Sequence, residues 1–215
     1  SGMLKEAKRK LAKVNSKHEV PLICTALDKL NMFADQSFDH IFCLGVFPYI
    51  PEELEEKSYR ELRRVIKKGG AFVSAHENEI FDTFTFNKYS LRFFERNIFP
   101  MIQEAVSGSD VEDMKSKLAT LFIHSDKPIN RDKKNSARDI IYLRPENPLI
   151  YDKKIANFGF HHEKTQYYHF HALPPLLRNE EKSLLDISSK MEIRNADSWQ
   201  GLFMASTFIS VARAV

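Results

Sequence analysis

A strand–helix–strand cassette between His40 and Ala75 constrains this fold more than any other feature of the chain. His40 to Leu44 (HIFCL) is a short, nearly continuous apolar run, the pattern of a strand covered on both faces, and it is expected to be a central strand flanked by parallel neighbours. Pro51, Glu52 and Glu53 then place a proline and two acids in a first helical turn, and Leu54, Tyr59, Leu62 and Val65 carry an apolar stripe. Lys67, Lys68, Gly69 and Gly70 read as the stop, with cations at the negative helix end and glycine free to take φ > 0. Ala71 to Ala75 (AFVSA) is the next strand. A crossover of this kind is right-handed and joins parallel strands.

The flanks extend the same alternation. Met3 to Val14 has apolar positions at helical spacing among Lys, Arg and Glu, which predicts a surface helix, and Val20 to Thr25 (VPLICT) reads as a further strand, followed by a polar connection over Asp28 to Asp39. Phe81 to Ala105 is aromatic-rich and helix-compatible, and Val106 to Asp139 is charged, with a turn expected at Gly108-Ser109. Pro145 to Phe158 reads as an amphipathic helix closed by Gly159. His161 to Ala172 and Gly201 to Ala214 are β-rich and are expected to pair antiparallel through the long link from Leu173 to Gln200. The expectation is an α/β fold with a doubly wound, mostly parallel, Rossmann-like sheet, an antiparallel C-terminal strand and an inserted helical cap. It divides into residues 1–78, a cap over 79–145, and a return to the core over 146–215.

Composition narrows the function classes. With 32 basic and 29 acidic residues the net charge is only +3, so no cationic surface for nucleic acid is indicated. The longest apolar runs are about five residues, far below the roughly 18 needed to span a bilayer, and no apolar segment follows the N-terminus, so no membrane partner and a cytoplasmic location are expected. Hydrophobic residues at 43% and 17 Phe give material for a packed core. Cys24 and Cys43 both fall in apolar runs and read as buried free thiols. His161, His162, His169 and His171 share one segment, but no acid or cysteine stands at ligand spacing, so no metal is expected.

Four stretches in order resemble the class I S-adenosylmethionine-dependent methyltransferases. Ser1-Gly2-Met3-Leu4 with Ala7 and Arg9 is similar to the start of the helix after the family's second strand. Ser37-Phe38-Asp39-His40-Ile41 resembles its "S-F-D-x-V/I" lead into strand four, and Leu44-Gly45-Val46-Phe47-Pro48-Tyr49-Ile50 stands at the end of that strand. Leu62 to Phe72 (LRRVIKKGGAF) resembles the "L-R-V-L-K-P-G-G" helix end before strand five. The resemblance covers Ser1 to about Ala75 and, more loosely, the last two strands.

The resemblance implies S-adenosylmethionine as cofactor and methyl transfer to a small-molecule acceptor, for instance the hydroxyl of a sugar or another polar metabolite. Ligands of open α/β sheets lie beyond the carboxyl ends of the strands. Ala26, Leu27, Asp28, Leu44, Gly45, Val46 and Phe47 are therefore the expected cofactor-binding residues. Tyr49, Glu77, Asn78, Asn87, Lys88 and Tyr89 are expected at the acceptor, with His76 or His169 as general base. The chain departs from the family in two ways: it holds no glycine-rich turn and no acidic strand end for the ribose, so it is expected to begin after them, and Ala26 stands where an acid would meet the adenine. A non-catalytic, methyltransferase-like binding or scaffolding module is the alternative expectation. A reductase is the weaker one, since no dinucleotide fingerprint occurs.

Overall fold

The computed structural model describes residues 2–13, 20–104, 108–123, 144–175 and 183–215. In chain order its elements are α1 (Gly2–Leu11), β1 (Phe38–Cys43), α2 (Glu52–Val65), β2 (Ile66–Glu77), α3 (Lys88–Asn97), α4 (Phe99–Gln103), α5 (Gly108–Ile123), α6 (Tyr151–Ala156), β3 (Phe160–Phe170), α7 (Ser183–Asn195), α8 (Gln200–Met204) and β4 (Ala205–Ala214). Short 3-10 turns at Phe47–Tyr49 and Ile80–Phe84 follow β1 and β2.

The four strands form one sheet in the order β1-β2-β4-β3. β1 and β2 run parallel, joined by the expected crossover through α2, while β4 lies antiparallel between β2 and β3. The antiparallel pairing of the two C-terminal strands follows the sequence expectation. The central position of β1 does not. Among the described residues it is an edge strand, paired only with β2, and Phe42 is 65% exposed. Val20 to Thr25, expected as its neighbour, forms no strand and is exposed, so Cys24 is an exposed thiol rather than a buried one. An apolar run becomes a strand only where it pairs and is covered, and among the described residues Val20 to Thr25 is neither paired nor covered.

The Lys67–Gly70 segment differs as well. α2 ends at Val65, and Ile66 is already extended and paired with Phe38. Between Ile66 and Ala71 the chain bulges while β1 advances only from Phe38 to His40. Gly69 takes φ +76 there, and a Cβ on Gly70 would meet Asp39 O at 2.9 Å and Ile66 Cγ1 at 2.7 Å. The glycines therefore let β1 and β2 close on each other instead of ending a helix. Gly108-Ser109, expected as a turn, starts α5, and the helix expected over Pro145 to Phe158 shrinks to α6.

Alternation assigns Ile41, Cys43, Phe72, Ser74, His76, Phe208, Ser210 and Ala212 to one face of the sheet. Tyr59 of α2 and Tyr151 of α6 pack on that face with Phe47, which builds the core with Leu62, Val65, Ile66, Ile155 and Phe160. The helix stripe read from the sequence is the one that is buried. Beyond the carboxyl end of β2, α3, α4 and α5 pack on one another and α3 packs on the 3-10 turn Ile80–Phe84.

Candidate functional site

The carboxyl ends of β1, β2 and β3 lie at one edge of the sheet, together with the start of β4. At β1 that edge is open. Gly45 holds φ +66 with nothing within 4 Å of where a Cβ would stand, and Leu44, Val46 and Tyr49 around it are 58%, 37% and 55% exposed. Such a backbone can be approached closely by a ligand. Phe47, expected to touch cofactor, instead turns inward and stacks on Tyr59 at 4.6 Å. Ala26 is exposed and Leu27 half-buried, whereas Asp28 is buried with its carboxylate 3.5 Å from Lys57.

At β2 the strand runs two residues further than expected, which changes the role of His76. The imidazole lies on the helix-covered face, between Phe47, Tyr151 and Phe208, and is 1% exposed. Its Nε2 bonds Ser74 Oγ at 2.8 Å, Ser74 Oγ bonds the Tyr151 hydroxyl at 3.1 Å, and that hydroxyl bonds Tyr59 at 2.9 Å. Burial, with the charges of Lys154 and Arg144 nearby, lowers the His76 pKa to about 3. His76 is thus a neutral core residue, and its geometry does not fit the general base expected of it.

Asn78 is likewise structural. Its amide nitrogen donates to the Leu202 and Ala205 carbonyls at 2.9 and 2.8 Å, and its oxygen accepts from Ile80 N, so it ties β2 to α8. Asn87 caps α3 by accepting from Tyr89 N at 2.9 Å. Lys88 and Tyr89 remain exposed, with Lys88 Nζ 5.4 Å and the Arg92 guanidinium 4.9 Å from the Tyr89 ring. His169 stands on the same carboxyl edge, exposed at φ +59, its main-chain N–H donating to Glu192 Oε2 at 2.6 Å.

Ion pairs crowd this edge that sequence reading did not single out. Glu55 bonds both Arg144 (2.5 Å) and Lys154 (2.7 Å), and Lys154 also bonds Glu146 at 2.5 Å. Asp82, in the turn after β2, bonds Arg92 at 2.9 Å, and Glu79 lies 3.7 Å from Arg96. Burial pushes the Asp82 pKa up to about 6 although Arg92 pulls it down. Glu77 is half-buried, and burial with the nearby Asp82 charge raises its pKa as well. No local motif announces these residues, because partners such as Glu55 and Arg144 are far apart in sequence. Among the described residues no group of His, Cys, Asp and Glu could hold a metal ion, and no helix is long and apolar enough to cross a membrane.

Comparison with known proteins gives this edge a context. Residues 1–74 match the methyltransferase domain family. The fold is similar to a chain of the complex between the Haloferax volcanii Trm112 methyltransferase activator and its candidate methyltransferase, with TM-score 0.50 and 15% identity over 99% of this chain and 67% of that one. An S-adenosylmethionine-dependent methyltransferase from Mesorhizobium loti gives TM-score 0.48 and 11% identity, over 97% and 74% of the two chains. One from Archaeoglobus fulgidus gives 0.46 and 13%, over 96% and 72%. No curated protein matches the sequence. By sequence, residues 1–74 thus match the methyltransferase domain family, and the chain shares its α/β fold with the Haloferax volcanii chain.

Proposed function

We propose that the carboxyl edge of this sheet serves methyl transfer from S-adenosylmethionine to a hydroxyl of a small polar acceptor. The observation that carries the reading is the open, left-handed Gly45 backbone at the end of β1, on the same edge as the exposed Tyr49, Lys88 and Tyr89. The residues present fit one side of the cofactor. Leu44, Gly45 and Val46 offer main chain and apolar surface for it, while Asp28 is already engaged by Lys57. When bound, S-adenosylmethionine supplies an electrophilic methyl group on a sulfonium sulfur. The chain's own part is to position the acceptor in line with it and to exclude water, the largest contribution a protein makes to a two-reactant step. Lys88 and Tyr89 offer a cation and a ring to a polar acceptor. Residues 79–104 and 108–123 are the part of the expected 79–145 cap that would stand over this edge; the rest of that cap lies outside the described residues.

Titration calorimetry with S-adenosylmethionine and its demethylated product tests it. The sequence carries no glycine-rich turn for the methionine end, and among the described residues Asp28 is held by Lys57 rather than free for the ribose. With each missing charge-assisted hydrogen bond worth about 1.5–3 kcal/mol, and about 1.4 kcal/mol per factor of ten, binding is expected to be weaker than micromolar by orders of magnitude. Gly45→Val is expected to weaken it further. Micromolar binding that Gly45→Val leaves untouched would overturn the placement of the donor.

A further inference from the structure

We propose that Glu77, Thr207 and Tyr168 form a recognition row for a polyol acceptor, in which the Glu77 carboxylate takes the proton of the hydroxyl that is methylated. The inference rests on the methyl-transfer reading above and assigns the base that His76 cannot be.

Strand register brings the row together. Glu77 stands opposite Thr207, and Thr207 opposite Tyr168, so one residue from each of β2, β4 and β3 lies at the same level on the same face. Directly opposed side chains on neighbouring strands sit about 4.5–5.5 Å apart at Cβ. That face is the one opposite His76, and the level is the carboxyl edge. The Tyr168 hydroxyl lies near enough to Thr207 and to the Glu77 charge for both to act on its proton affinity. The Tyr168 ring packs 4.5 Å from that of His169, whose left-handed backbone is fastened by Glu192.

Glu77 differs from the acids nearest to it around the end of β2. Asp82 has Arg92, Glu79 has Arg96, and Glu146 has Lys154, yet no cation pairs with Glu77 among the described residues. A half-buried carboxylate without a partner is costly, and a fold that keeps one gains when a donor arrives. Half-buried Tyr168 offers a hydroxyl that both donates and accepts, and Thr207, 7% exposed and in contact with Ser206 Oγ, presents a second one at the floor of the row. One carboxylate beside two hydroxyls matches a molecule carrying adjacent hydroxyl groups. As the acceptor oxygen forms its bond to the methyl carbon, the carbon–sulfur bond breaks with its electron pair left on sulfur, and the hydroxyl proton passes to a Glu77 carboxylate oxygen. Burial already raises the proton affinity of that carboxylate, in the direction a base requires.

The test uses the full 215-residue chain, isotopically labelled, with glycerol, D-glucose and myo-inositol as probes and 1-propanol as the single-hydroxyl control. At least one polyol is expected to move the Thr207 and Tyr168 amide signals saturably, with 1-propanol moving them less. Glu77→Gln and Tyr168→Phe should each weaken that response by about tenfold or more. Glu77→Gln should also melt at or above the wild-type temperature, because it removes an unpaired buried charge. A carboxylate with a structural partner would give the opposite sign, and a clear drop in melting temperature overturns the proposal. So does a row that no polyol reaches. Titrating the demethylated cofactor into the same samples separates the two readings: a polyol response that depends on Glu77, in a chain that the cofactor fails to bind even at about millimolar concentration, leaves the row standing and sinks methyl transfer.

Discussion

The two faces of the one sheet are built from the same strands and differ in how their polar groups are satisfied. On the helix-covered face, Phe72, Phe208 and Ala212 are at most 1% exposed, and one hydrogen-bonded chain runs from Tyr59 through Tyr151 and Ser74 to His76, while His76 Nδ1 and Ser210 Oγ find no partner among the described residues. On the opposite face, Phe42 is largely exposed, Val73, Ile209 and Val211 are half-buried, and Glu77 carries no counter-ion among the described residues. A face so fully covered and so filled with packed rings is serving the fold. A face that leaves a carboxylate unpaired and apolar side chains partly open is available for something else. The difference also explains why His76, the more conspicuous base in the sequence, is the wrong one: its position in the alternation points it into the helices.

Phe208→Ala is the strongest way to break this contrast. Phe208 is fully buried between His76 and Tyr151, and truncating it should cost about 3–5 kcal/mol, read as a shift in the denaturant midpoint. A cost below about 1 kcal/mol would mean that the helix-covered face is not the better packed one.

Acid sharpens the comparison by acting on the two regions with opposite sign. Folding lowers the His76 pKa from 6.5 to about 3, so between those values the unfolded chain binds the extra proton. The stability that a neutral His76 contributes is whole above about pH 6.5 and is lost as pH falls toward 3. Asp82 is raised from 3.8 to about 6, so its contribution runs the other way, with stability lost as pH rises through that window. Melting curves from pH 7 to pH 4 should show His76→Gln falling less steeply with acid than wild type, and Asp82→Asn gaining less from it. Parallel slopes for all three proteins would remove His76 and Asp82 as the groups that distinguish the core from the edge.

The smallest effect is expected at Phe42. At 65% exposure on the outer strand it contributes little to the chain as described, so Phe42→Ser should change stability by no more than about 0.5 kcal/mol. A loss several times larger would show that this side chain is covered in solution, and that the open face is not open.

Periodicity by itself determined much of this protein. The helix stripe Tyr59, Leu62 and Val65, the parallel crossover and the antiparallel C-terminal pair follow from spacing that each segment carries within itself. What lay beyond reach depends on partners distant in the chain. Val20 to Thr25 has a strand's composition but pairs with none of the described strands, and Lys67 to Gly70 looks like a helix stop until β1 is laid against it. Register decides that Glu77, Thr207 and Tyr168 meet, although 130 positions separate the first two, since 207 − 77 = 130. Tertiary structure alone decides which of two adjacent residues, His76 or Glu77, faces the core, because a shift of one residue in a strand exchanges its faces and no property of either side chain fixes that shift.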